Sequence, residues 1–263
     1  MKSSRGATSG VVLLHKKLGE TPLECILRYK KETEEIRPMT YAGRLDPMAE
    51  GLLLCLIGEE CKNKDKYLTL NKKYIFEILI GFSTDTHDLL GLVTSKADGN
   101  PNLQYLLNSF VGKHNQTYPI YSSKTINGKQ LHTLARAGLI NENEIPSREV
   151  EIFSLKILSE TKIGREKLLQ EIVNKIALVK GDFRQQEIAK KWLRVLSDES
   201  SMLINNFSII KVEMFCSSGT YVRALVRDLG TLSKVSMCTY SIVRTEVGEY
   251  RGVTSTVSHF TEV

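Results

Sequence analysis

Leu52 to Ile57 are six consecutive apolar residues, a run too short and too uniform for a surface helix, and they predict a strand buried on both faces. Val11 to Leu14 predicts a shorter strand. Tyr74 to Phe82 predicts another, rich in β-formers and closed by the turn residues of Thr86 to Gly91. Ile209 to Cys216 alternates strictly, with Ile210, Val212, Met214 and Cys216 on one face, and Ile152 to Ile157 and Thr239 to Val243 are further strand candidates. Helical spacing separates these strands. A capping box opens the first helix, with Thr21 at the N-cap, Pro22 at the first helical position and Glu24 three residues after the cap; Leu23, Ile26 and Leu27 are its predicted apolar face. Asn100 and Pro101 cap a helix carrying Leu103, Leu106, Leu107 and Phe110, and the helix of LHTLARAG ends at Gly138. After a turn at Gly219, Val222, Leu225, Val226 and Leu229 face inward from another helix.

Residues from about 160 to 205 change character. Leu168, Leu169, Ile172, Val173 and Ile176 repeat at helical spacing, Gly181-Asp182 interrupts, and Ile188, Ala189, Trp192, Leu193 and Leu196 repeat it again. This predicts a helical hairpin in which Gly181 ends one helix and Asp182 caps the next, with a face charged in both signs and therefore solvated. With no internal repeat, low-complexity linker or composition shift, the chain reads as one α+β domain of mixed, mostly antiparallel sheet, with flanking helices and a helical insertion.

The 263 residues suffice for a sizeable core, and 41% apolar with 25% charged residues is an ordinary globular balance. A net charge of +6 leans weakly toward a polyanionic partner. Five scattered cysteines without a C-x-x-C pair argue against a disulfide framework or zinc site and fit a reducing compartment. The N-terminus reads as no signal peptide, and no apolar run approaches the ~20 residues of a membrane helix, so a cytoplasmic protein is expected.

Three stretches combine reactive side chains with tight backbone geometry: GRLDP with Asp46, Tyr74 beside Lys72 and Lys73, and CSSGTYVRALVRDLG with Tyr221 and Arg223. Each also has an ordinary reading. Asp before Pro commonly starts a turn or caps a helix, Tyr74 suits a strand, and Arg223 suits a helix surface. Phosphate-loop, dinucleotide and serine-nucleophile motifs are missing, and the five histidines are scattered, so no metal or cofactor is expected.

The combination, in order, resembles the TruB family of pseudouridine synthases. GRLDPMAEGLLLCLIGE is similar to that family's catalytic motif. KKYIFEILIGFSTDTHDLLGLV, YPIYSSKTINGKQLHTLARAG, CSSGTYVRALVRDLG and SIVRTEVGEY resemble the blocks that follow, covering about residues 10–158 and 207–250. The resemblance implies the pseudouridine synthase catalytic fold, with Asp46 as the catalytic aspartate and Arg223 paired with it. It further implies that Tyr74 lies against the target base, that Tyr221, Arg223 and Arg44 line the pocket, and that Ile242 supplies an apolar wall. Tyr41 stands where many members have a histidine, so an altered stacking contact is expected. Lys16-Lys17-Leu18-Gly19 replaces K-P-x-G, the 160–205 stretch has no counterpart in the compact bacterial pattern, and a C-terminal PUA domain is not expected.

The implied reaction breaks the N-glycosidic bond of a uridine, turns the base and rejoins it through C5, on a base that must leave the stack. The substrate implied is the T-loop uridine at position 55 of tRNA, bound through its stem-loop without an obligatory protein partner. Asp46 would act as nucleophile or as base, and both remain open. Lys62, Lys64, Lys66, Lys72 and Lys73 form a cluster suited to RNA phosphates, with a solvated turn as the ordinary alternative. Two other classes compete: a non-catalytic tRNA-binding or RNA-folding protein that keeps the fold, and an interaction module using the hairpin.

Overall fold

The computed structural model describes residues 10–198, 205–251 and 261–262; the chain's first nine residues, and residues 199–204 at the end of the 160–205 stretch, lie outside them. The elements in chain order are β1 (Gly10–Lys16), α1 (Pro22–Thr33), β2 (Met39–Ala42), β3 (Ala49–Ile57), α2 (Lys64–Leu68), β4 (Lys72–Thr84) and β5 (Val93–Ala97). Then come α3 (Leu103–Asn108), β6 (Gly112–Thr117), β7 (Thr125–Ile126), β8 (Lys129–Gln130), α4 (Leu131–Arg136), β9 (Ser147–Gly164), α5 (Arg165–Ala177) and α6 (Gln185–Leu196). The last are β10 (Asn206–Cys216), α7 (Val222–Ser233), β11 (Met237–Val247), β12 (Tyr250–Arg251) and β13 (Thr261–Glu262).

Eleven strands of the described residues form one mixed, mostly antiparallel sheet in the order β13-β1-β3-β11-β4-β10-β9-β6, with β2, β5 and β12 pairing alongside. The β3–β11 pairing is parallel. One edge of β3 carries β1; the other carries β11 at Ala49–Gly51 and β2 at Leu54–Ile57. The loop between β2 and β3 therefore emerges where two partner strands meet. Gly51, at φ +104, lets β11 approach: a Cβ there would lie 2.3 Å from the Arg244 carbonyl oxygen.

The uniform run in β3 is buried on both faces as expected. Tyr74, Phe76, Ile78 and Ile80 of β4 face one core together with Ile210, Val212, Met214 and Cys216 of β10 and the apolar stripe of α7. Gly81 takes φ +106, and beyond it Phe82 enters the core on the opposite side. Thr21 and Glu24 form the capping box, with Thr21 N–H donating to Glu24 Oε2 at 2.7 Å and Glu24 N–H to Thr21 Oγ1 at 3.2 Å.

Four local expectations are corrected. In α1, Ile26 is buried as expected, but Leu23 and Leu27 point to solvent, and Cys25 and Tyr29 are buried in their place. Asn102 caps α3, its Oδ1 accepting from the Tyr105 N–H. Strand β9 runs well beyond Ile157, so residues 160–164 belong to the sheet. The hairpin is α5 and α6, but Arg184 is the N-cap of α6 in left-handed conformation, while Asp182 Oδ1 accepts from the Arg184 N–H.

The hairpin's inner face is part of the core. Leu168, Ile172, Ile176, Ile188, Trp192 and Leu196 are buried against Leu79, Phe82, Leu89 and Phe207. Trp192 donates its indole N–H to Leu89 O at 3.2 Å and meets Phe82 edge-on with ring centroids 5.3 Å apart. Truncating such a side chain costs about 3–5 kcal/mol, so the hairpin's packing on the sheet is a substantial part of this core.

Candidate active site

Asp46 sits on the loop between β2 and β3, and its backbone does what the ordinary reading anticipates. Ala49 N–H donates to Asp46 O at 3.0 Å, closing a turn with Pro47 inside it. Leu45 and Met48 on either side are buried in opposite cores, and Gly19 N–H donates to Pro47 O at 2.9 Å. The turn is thus pinned at both flanks. Its carboxylate is left for another partner.

That partner is Arg223, on the first turn of α7, buried with its side chain 4% exposed. Its Nε and Nη2 lie 2.9 and 2.7 Å from Asp46 Oδ2. Its Nη1 donates to Thr86 O at 2.9 Å, its Nη2 to Tyr121 O at 3.2 Å, and Asp88 Oδ2 lies 3.6 Å from Nε. Burial opposes the Arg223 charge, but Asp46 and Asp88 outweigh it and hold its pKa above the ordinary value. Burial raises the Asp88 pKa, against the pull of Arg223 and of its hydrogen bonds from Thr86 and Leu90.

Asp46 and Arg223 open into a cleft of about 410 Å³ whose walls include Arg44, Leu45, Tyr74, Tyr221, Val222 and Ile242. Among the described residues, five basic side chains line it (Arg44, Lys72, Arg148, Arg223 and Arg244), against Asp46 as the one carboxylate. Such a cleft concentrates positive potential around a single anion and offers aromatic and aliphatic walls to a flat ring. Tyr74 and Tyr221 are held neutral, burial pushing Tyr221 up to about 12 and Tyr74 above its usual range. A second cavity of about 200 Å³ adjoins, sharing Arg44, Asp46 and Arg223 and walled by Tyr121, His132 and the hairpin tip.

Residues 31–181 match the family described as TruB family pseudouridylate synthase, N-terminal domain. The tRNA pseudouridine synthase B of Borreliella burgdorferi strain ZS7 is 30% identical over 254 residues, covering 95% of this chain and 73% of the relative. The chain belongs to the TruB family. The enzyme of the same name from Trichormus variabilis is 30% identical over 240 residues, with 90% of this chain and 66% of the relative covered. A chain in the crystal structure of a Cbf5–Nop10–Gar1 complex shares the fold at a TM-score of 0.56 and 15% identity, covering 93% of this chain and 50% of that one.

Within this TruB-family cleft, Asp46, Arg44, Tyr74, Tyr221, Arg223 and Ile242 come together from four separate segments. Tyr41 does not line it. It is half-buried on β2, packed against the core of β1, β3 and α1, with the Lys64 ammonium 5.3 Å from its ring centre. The lysine cluster also divides. Lys72 is buried in the cleft floor, donating to Leu68 O at 2.9 Å and to Leu70 O, and burial, with Arg244 nearby, lowers its pKa to about 8. Lys73 pairs with Glu213 at 3.1 Å and lies 3.9 Å from Glu246. Lys62, Lys64 and Lys66 lie on the short helical turn before β4; Lys62 pairs with Glu59.

Sequence reasoning missed four residues at the site. Asp88 was visible only as a turn residue of THDLLG. Arg244 is buried, donating to Leu52 O at 2.7 Å and Gly43 O at 3.1 Å, and it stands opposite Tyr74 in the β4–β11 register; its signal was an arginine amid β-formers in SIVRTEVG. Lys16 is fully buried, and burial lowers its pKa to about 8 although Asp46 and Glu20 pull it up. Arg148 had no local signal. Among the described residues no group of three or more His, Cys, Asp or Glu is placed to hold a metal, and no helix is long and apolar enough to cross a membrane.

Proposed function

We propose that this chain isomerises a uridine of tRNA to pseudouridine, and that its target is the T-loop uridine at position 55. The observation that carries the reading is the Asp46–Arg223 pair, set at 2.7 Å in a cleft that has no other carboxylate among the described residues of its lining. An extruded nucleotide brings a phosphate for the surrounding cations and a ring for Tyr74 and Ile242. Beside the ribose, Asp46 acts as nucleophile toward C1′ or as base toward the sugar. The C1′–N1 bond breaks, the uracil turns against its wall, C1′–C5 forms, and the proton lost from C5 is balanced by one gained at N1. Arg223 aims the Asp46 carboxylate through its two contacts to Oδ2; Arg44 and Tyr221 bound the nucleotide at the mouth.

In this reading the whole described chain serves as one catalytic unit with the hairpin built in, and Lys62, Lys64 and Lys66 contact the phosphates of the T-arm. The five free cysteines, four of them buried, suit the reducing cytoplasm. The test is an unmodified tRNA transcript labelled with tritium at uridine C5. Label release, with pseudouridine mapped to the T-loop by mass, is the expected result. RNA binding by the wild-type chain without label release would instead identify a non-catalytic RNA-binding protein.

A further inference from the structure

The tip of the α5–α6 hairpin reaches the site without touching Asp46. Arg184, at φ 62, places its Nη2 2.9 Å from Asp85 Oδ2 and its guanidinium 4.9 Å from the ring centre of Tyr121. Both ends of that ion pair are three-quarters buried or more, with side chains 25% and 21% exposed. A non-glycine residue in left-handed conformation is unfavourable, and here it aims a planar cation at a carboxylate and an aromatic face together. A second latch lies alongside: Arg136 of α4 donates to Asp182 O at 2.8 Å and lies 5.7 Å from the Phe183 ring centre.

The partners of Arg184 are the two places that hold Arg223. The Arg223 guanidinium donates to Tyr121 O and to Thr86 O, next to Asp85. Asp85 is itself fixed, its Oδ1 accepting from the Leu92 N–H at 2.8 Å. One side chain from the hairpin thus contacts both carbonyl-bearing segments. We propose that Arg184 is a positioning residue for the Asp46–Arg223 pair, acting through segments 85–92 and 118–124. The hairpin thereby makes the geometry of the site depend on its own docking. The catalytic consequence rests on the proposed isomerase activity; the structural one does not.

The test compares the full-length wild type with Arg184→Gly and Arg184→Lys. Glycine removes the side chain and relieves the left-handed backbone, which offsets part of the lost ion pair and ring contact, so Tm changes little and Trp192 emission reports a docked hairpin. Hydrogen exchange in 85–92 and 118–124 is expected to rise in the free protein. Single-turnover rate at saturating tRNA should fall about tenfold, ~1.4 kcal/mol, with Kd within about twofold. Arg184→Lys keeps the charge beside Asp85 but loses the flat stack on Tyr121, and recovers about half of that loss on a logarithmic scale. Unchanged exchange in both segments overturns the proposal, as does a rate within twofold of wild type, or a loss confined to Kd, which would mean that the tip contacts RNA. If the wild-type chain releases no label, the isomerase reading fails, and exchange in the free protein alone still decides whether Arg184 grips the two segments.

Discussion

Replacing Arg223 by methionine keeps most of the buried stem and removes the cation shared by Asp46 and Asp88. The two carboxylates lie 2.7 and 3.6 Å from the guanidinium, and the Asp88 side chain is only 7% exposed. Breaking a buried pair by removing one partner costs about 3–5 kcal/mol. That leaves the variant folded if the protein holds the usual ~5–15 kcal/mol, with Tm lower by roughly 10–15 °C. Chemistry and stability then respond to pH in opposite directions. Burial already raises the Asp88 pKa with Arg223 as its main restraint, so without the guanidinium Asp88 is raised further and holds its proton to higher pH. A carboxyl whose folded pKa is raised contributes stability below its unfolded pKa and loses it as pH rises through the folded one. The deficit in unfolding free energy relative to wild type should therefore grow from pH 5 to pH 8. Single-turnover rate at saturating tRNA should show the reverse, with the wild-type advantage shrinking as pH rises and Asp88 loses its proton. Arg223→Lys should retain the ionisation while losing alignment, giving a rate deficit that does not change with pH. A rate ratio for Arg223→Met that is constant from pH 6 to pH 9, or a defect in Kd alone, would refute the view that this cation sets the charge of the site.

Asp46→Asn is nearly isosteric and should lower the rate at least about a hundredfold while leaving Tm and Kd close to wild type; turnover within tenfold would remove Asp46 from the chemistry. His87 is lowered to about 3 by burial and by Arg227 and Arg223, so the unfolded chain gains a proton below pH 6.5 that the folded one refuses. Wild type should accordingly lose roughly 2 kcal/mol more stability than His87→Asn between pH 7 and pH 5, measured by urea unfolding, asparagine being tolerant of the positive φ there. Reversing Lys62, Lys64 and Lys66 to Glu should weaken tRNA binding and flatten its salt dependence by about one unit of slope per phosphate contact, without changing which uridine reacts. Equal slopes would mean that these lysines only solvate a turn.

What the sequence made legible was local. The uniform run of β3, the alternation of β10 and the capping box of α1 carry their structure in neighbouring residues. The far half of β9 does not, because Ser159 to Lys162 are polar and are recruited by backbone pairing with Ser208 to Lys211. Leu23 and Leu27 have the same spacing as a buried face, and only packing against β1 and β3 chose Cys25 and Tyr29 instead. At the site, the motif blocks named Asp46, Tyr74 and Arg223, whereas the partners holding Arg223 are carbonyls of Thr86 and Tyr121, which every residue possesses. Lys72 looked like its neighbours in a basic run; strand alternation put it in the cleft floor and sent Lys73 to the opposite face, against Glu213.

The parallel pairing of β3 with β11, with Ala49 opposite Ile242, also fixes when the cleft comes into being. At about 5–20 residues per second, a ribosome needs on the order of ten to forty seconds between making those two residues. Throughout that interval the turn bearing Asp46 has been synthesised, but its cation has not, or has no β11 to seat it. The Ala49–Gly51 stretch of β3 waits without its β11 partner, and β4 waits first for β10 and then for β11, open to other chains. A nascent chain therefore carries adhesive strand edges and an incomplete pocket, and it acquires a defined surface for RNA only when its penultimate tens of residues slide in between β3 and β4.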